Sequence, residues 1–104
     1  MKKKTISFDL AAMQASADRA CALLKVLANP DRLMLMCQLS HGEHSVSDLE
    51  NELSIRQPTL SQQLGVLRDN ELVKTRREGK SIFYSLASHE AMAVMAVLYD
   101  QFCR

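Results

Sequence analysis

Leu60, Leu64 and Leu67 recur at helical spacing within residues 55–72, IRQPTLSQQLGVLRDNEL, and assign one side of that stretch to a core. The other side carries Gln57, Thr59, Ser61, Gln62 and Arg68, with Gln63 at its edge, pointing sideways. A solvated helix face is ordinarily rich in Lys and Glu. This one is rich in amides and hydroxyls that both donate and accept hydrogen bonds. Gln pairs bidentately with adenine, Ser and Thr reach bases or phosphates, and Arg suits guanine or phosphate. Pro58 fits the first turn of a helix, where its missing N–H costs nothing. The stretch reads as a helix that recognises DNA.

The segments before it support that reading. Ser45 is placed to cap a short helix, Val46 to Leu53, with Asp48 at the capping-box position and Val46, Leu49 and Leu53 as its apolar stripe. Ser54-Ile55-Arg56 is a tight connection, so the two helices form a helix-turn-helix over residues 45–70. Upstream, Asn29-Pro30 starts a helix to Leu39 on which Leu33, Met36 and Cys37 share a face, and His41-Gly42-Glu43-His44 reads as a turn. From Phe8, after a frayed basic start (Met1 to Ser7), Leu10, Met13, Ala17, Ala20, Leu24 and Leu27 step at heptad-like intervals. That seam either faces the core or packs on a partner subunit, and small Ala17 and Ala20 would let a second helix come close.

Downstream the period changes. Leu72 to Arg77 and Ser81 to Leu86 are rich in β-formers, and Glu78-Gly79-Lys80 supplies the turn of a hairpin, residues 72–86. Arg76, Arg77 and Lys80 at its tip suit a phosphate backbone or minor groove. Ser88 can cap a last helix, residues 88–103. It is too apolar to leave wet: Met92, Met95, Ala96, Tyr99 and Phe102 line one side, and Ala91, Val94 and Leu98 cover much of the rest. Pairing with the first helix across a two-fold axis would cover it. The expected architecture is mainly α with a small β-hairpin, a winged helix-turn-helix in the order α-α-α-α-β-β-α, in one domain spanning 1–104.

Composition narrows the classes. The 104 residues carry a net charge of only +1, so any affinity for nucleic acid rests on the local basic cluster Arg68, Lys74, Arg76, Arg77 and Lys80. No apolar run reaches the roughly 20 residues needed to span a bilayer, and no signal peptide is evident, so a cytoplasmic protein without membrane contact is expected. In a reducing compartment the three cysteines are core filler or a reactive set rather than structural disulfides. The chain has no Cys-x-x-Cys, no glycine-rich phosphate loop and no base beside a cysteine, which disfavours an enzyme. An interaction module built on the apolar terminal helices is a further alternative.

Segments LANPDRLMLMCQL (27–39), SVSDLENELSIRQPTLSQQLGVLRDNELV (45–73) and RREGKSIFYSL (76–86) resemble the ArsR/SmtB family of bacterial repressors. The resemblance implies a homodimer that binds inverted-repeat operator DNA and lets go when an inducer reacts or binds. Metal-sensing members have a Cys-x-Cys pair on the third helix or paired Asp/His and His/Glu ligands on the last helices. Val46 to Leu53 has no cysteine, and His89, Glu90 and Asp100 lack a second histidine at matching spacing, so neither metal site nor cofactor is expected. His41 and His44 read as solvent-exposed. Cys37 and Cys103 stand where the BigR-like subgroup, and similarly HlyU-like proteins, have a sulfur-sensing pair. The likeness implies persulfide or polysulfide as inducer, with general oxidants or a soft metal as the alternative. Cys21 is not obviously part of that pair and reads as packing or secondary.

Overall fold

The computed structural model describes residues 7–104, so the expectation of a frayed Met1–Ser7 segment falls outside it except at Ser7, which has no regular structure. The element order is α1 (Leu10–Leu27), α2 (Pro30–Leu39), β1 (His44–Ser45), α3 (Val46–Leu53), α4 (Thr59–Asp69), β2 (Val73–Glu78), β3 (Ser81–Leu86) and α5 (His89–Phe102). This is the winged helix-turn-helix expected, with one strand more.

Local chemistry sets most of the boundaries. The Asp9 carboxylate accepts from the Ala11 and Ala12 N–H groups, so α1 begins two residues after the expected Phe8. The Asn29 side chain accepts from the Arg32 N–H at 3.0 Å, and Pro30 occupies the first helical position of α2. Ser45 and Asp48 form a reciprocal capping box at α3, with bonds of 3.1 and 3.2 Å. Ser88 accepts from the Ala91 N–H at the start of α5.

The reading of residues 41–44 as a turn needs correction at its end. His44 and Ser45 pair antiparallel with Tyr84 and Phe83, making a three-stranded sheet in the order β1-β3-β2. A strand of two residues has no period to read, and its partner lies far along the chain.

The core gathers Leu35, Met36, Leu49, Leu60, Leu64 and Leu67, all essentially without exposed surface. Val26, Leu27, Leu39, Ile55, Leu72, Val73 and Ala91 extend it. On α2 the deepest residues are Leu35, Met36 and Leu39, while Leu33 is partly covered and Cys37 half-buried, so the apolar face is rotated from the one read in the sequence.

The heptad-like seam of α1 resolves against its own core. Leu10 is 70% exposed, Leu24 is 56% exposed, Met13 and Ala20 are also open, and only Leu27 is buried. The last helix behaves alike. Its first half enters the core through Ala91, with Val94 and Met95 packed behind, and its second half leaves Val97, Tyr99 and Phe102 uncovered.

Helix α4 closes with a paired motif: the Leu72 N–H reaches the Leu67 carbonyl and the Glu71 N–H the Arg68 carbonyl, each at 2.9 Å. Glu71 sits at φ 61°, the left-handed region that glycine occupies without a Cβ penalty. Glu71→Gly should therefore stabilise the fold by about 0.5–1 kcal/mol. Thermal unfolding at fixed protein concentration checks this, and a lowered midpoint would contradict it.

Candidate nucleic-acid interface

Burying Leu60, Leu64 and Leu67 turns the opposite side of α4 outward, with Gln62 directly away from the core. Ser61 and Arg68 flank it, both exposed, and Thr59 is half-buried at the helix start. Arg68 lies in the last turn, where its charge complements the helix dipole. Pro58 stands just ahead of the helix, one position earlier than expected, and makes no side-chain cap. Gln57 takes over that role. Its side-chain carbonyl accepts from the Ser61 N–H at 3.1 Å and from the Ser61 hydroxyl at 2.7 Å. The Gln57 amide N–H groups and the Ser61 oxygen lone pairs remain available to a ligand.

Gln63 is differently engaged. Its side-chain carbonyl accepts from Arg32 Nη1 at 2.7 Å, while the same guanidinium donates through Nε to the Val26 carbonyl and through Nη2 to that of Lys25. Arg32 on α2 thus joins the end of α1 to α4. Sequence reasoning missed Arg32; its place on the inner side of α2 was the one available signal.

The wing separates its basic residues. β2 and β3 pair with Val73 opposite Leu86, Thr75 opposite Tyr84 and Arg77 opposite Ile82, and alternation puts these pairs on one face. Lys74, Arg76 and Glu78 occupy the other. Arg76 lies over the Phe83 ring, 4.6 Å from its centroid, and is held by Glu43 at 2.9 and 2.7 Å and by Glu78 at 2.6 Å. The bidentate bond to Arg76 holds the Glu43 carboxyl below the usual carboxylate range, and Glu43, then Glu78, push the Arg76 guanidinium further up. Arg77 and Lys80 are exposed and make no ion pair among the described residues. Glu43 went unnoticed in the sequence because it sits in a turn, far along the chain from its partner.

The thiols are free. Cys37 is half-buried on α2, and Cys103 is exposed one residue past α5, its N–H bonded to the Tyr99 carbonyl at 2.8 Å. Helices α2 and α5 pack against each other. Cys21 is exposed on α1, so it does not pack into its own chain's core, which leaves the secondary role also read for it. Among the described residues no group of three or more His, Cys, Asp or Glu side chains is gathered as a metal site would require, and no helix is long and apolar enough to cross a membrane.

Residues 29–75 match the family described as "Bacterial regulatory protein, arsR family". Over 94 residues the chain is 56% identical to the biofilm growth-associated repressor of Agrobacterium fabrum, covering 90% of this chain and 80% of the relative. The chain belongs to the ArsR family. Within it the chain sits with BigR and HlyU. The crystal structure of the repressor BigR from Xylella fastidiosa superposes with a TM-score of 0.89 at 47% identity, covering 93% of this chain and 99% of that one. The transcriptional activator HlyU of Vibrio cholerae is 38% identical over 101 residues, 97% of this chain and 94% of the relative. These ArsR-family relatives are regulators of transcription rather than enzymes.

The Glu43–Arg76 pair gives the wing a pH signature. A lowered carboxyl pKa contributes stability that is present above the ordinary carboxylate range and is lost as pH falls through the depressed value. Wild type should melt above Glu43→Gln near neutrality, and the two curves should converge in acid below that range. A gap that persists there would show that the ion pair is not its origin.

Proposed function

We propose that this ArsR-family regulator is a homodimeric repressor that holds inverted-repeat operator DNA and is released when Cys37 and Cys103 react with persulfide or polysulfide. The outward face of α4 carries the DNA reading: it is polar, neither core nor ion-paired, and rigidly backed by three buried leucines. Gln57, Thr59, Ser61 and Gln62 read base edges, and Gln63 steadies the helix through Arg32. Arg68, Arg77 and Lys80 meet phosphates, while Arg76 keeps the wing in shape. The exposed apolar residues of the first and last helices, Leu10, Met13, Leu24, Val97, Tyr99 and Phe102, support dimerisation through these helices. Such a repressor works in the cytoplasm.

Gln62→Ala should relax base preference, at about 1–3 kcal/mol for the base it reads. Arg77→Ala should weaken binding to every duplex alike and reduce the salt slope by about one. Binding to operator and unrelated duplexes across a salt series checks both, and equal effects of the two variants on every duplex would contradict the division.

The inducer reading rests on the likeness to BigR-like members and on the attachment of the two thiols, Cys37 on α2 and Cys103 just past α5, to two helices that pack on each other. One thiolate attacks the outer sulfur of a persulfide donor, expels the donor's thiolate and becomes a persulfide. The second thiolate attacks the protein-bound sulfur, releases hydrosulfide and leaves a disulfide. A longer sulfur chain on the first cysteine leaves a bridge with extra sulfurs. A direct disulfide needs Cα atoms within about 7 Å, and each added sulfur extends the reach by about 2 Å. Bridging ties the dimerising α5 to α2, beneath the reading unit, and tilts the reading heads. Operator half-sites lie about one DNA turn apart, so a small tilt spoils simultaneous docking. A coupling of about 1–3 kcal/mol lowers affinity about 5–150-fold. Persulfide should release wild type but neither Cys37→Ser nor Cys103→Ser in a gel shift on the protein's own promoter region. Normal release of either variant would remove the pair as sensor. Mass spectrometry after persulfide, peroxide, zinc and arsenite separates the sulfur reading from an oxidant or soft-metal one.

A further inference from the structure

Gly65 lies in the middle of α4, three residues after Gln62, four after Ser61 and three before Arg68, on the side these residues share. Nothing inside the chain calls for glycine there. Its φ is not among the positive values, unlike those of Gly42 and Gly79, and a Cβ built on it would meet no atom within 4 Å. Glycine is also the weakest helix former after proline, so alanine would serve α4 better. Here the bare backbone weakens an 11-residue helix and brings no packing inside the chain.

We propose that Gly65 is a positioning residue of the DNA-reading face, its missing side chain letting α4 settle against the floor of the major groove. The inference rests on the DNA-binding reading of α4. Gly65 lies about 4.5 Å along the axis from Gln62 and on the same outward side, so it faces the same stretch of groove. A methyl group would stand about 1.5 Å beyond the Cα and lift the helix, lengthening the hydrogen bonds from Ser61 and Gln62 together.

The test sets stability against affinity in the full-length protein. Duplexes that wild type prefers are first selected from a random double-stranded pool. Gly65→Ala should raise the thermal midpoint by about 3–8 °C at fixed protein concentration. It should also lose about tenfold or more in affinity for the selected duplex, and clearly less for an unrelated one. A better-folded protein that binds worse cannot be explained by damage to the fold. Unchanged affinity for the selected duplex, an equal loss on both duplexes, or a lowered midpoint would each overturn the proposal. If wild type selects no duplex at all, the DNA-binding reading itself fails, an outcome distinct from these.

Discussion

Three leucines hold the outward polar face of α4 in place. Helix α4 has 11 residues, too short to persist alone in water, and its outer face is polar. Its stability comes from Leu60, Leu64 and Leu67, each with at most 1% of its surface exposed. Burying that stripe fixes the helix's rotation about its own axis, and with it the direction of Gln62, Ser61 and Arg68. The surrounding architecture supplies the other half of that pocket: Leu35 and Met36 from α2, Leu49 from α3 and Leu72 from the base of the wing.

Arg32 adds a polar constraint to the apolar one. Its guanidinium joins two carbonyls at the end of α1 to the side chain of Gln63 on α4. These bonds connect α1 to α4 directly, without passing through the loops. In the proposed dimer α1 belongs to the subunit junction, so the bond network lies between the surface that pairs subunits and the surface that reads DNA. The proposed thiol bridge, from α2 to α5, acts on the same layer.

The wing illustrates how composition overstates a binding surface. Its tip holds three basic residues, yet Arg76 is committed to Glu43, Glu78 and the face of Phe83, while Arg77 and Lys80 are exposed and unpaired among the described residues. Exposed ion pairs contribute little stability individually. This one joins the turn before β1 to β2, and so gives the sheet's two outer strands a common anchor.

Helix starts and stops were legible in the sequence because caps are local: Asn29 with Pro30, Ser45 with Asp48, and Ser88 each act within three residues of themselves. The leucine stripe of α4 and the hairpin around Gly79 were legible for the same reason, since period and turn chemistry operate over a few bonds. Tertiary structure alone decided which polar side chains are spoken for. The bond from Gln63 to Arg32 spans 31 positions and that from Arg76 to Glu43 spans 33, distances over which no periodicity carries information. It also decided that the α1 seam turns away from its own core. An apolar stripe states that surface must be covered, but only the placement of every other helix shows that this chain leaves the covering undone.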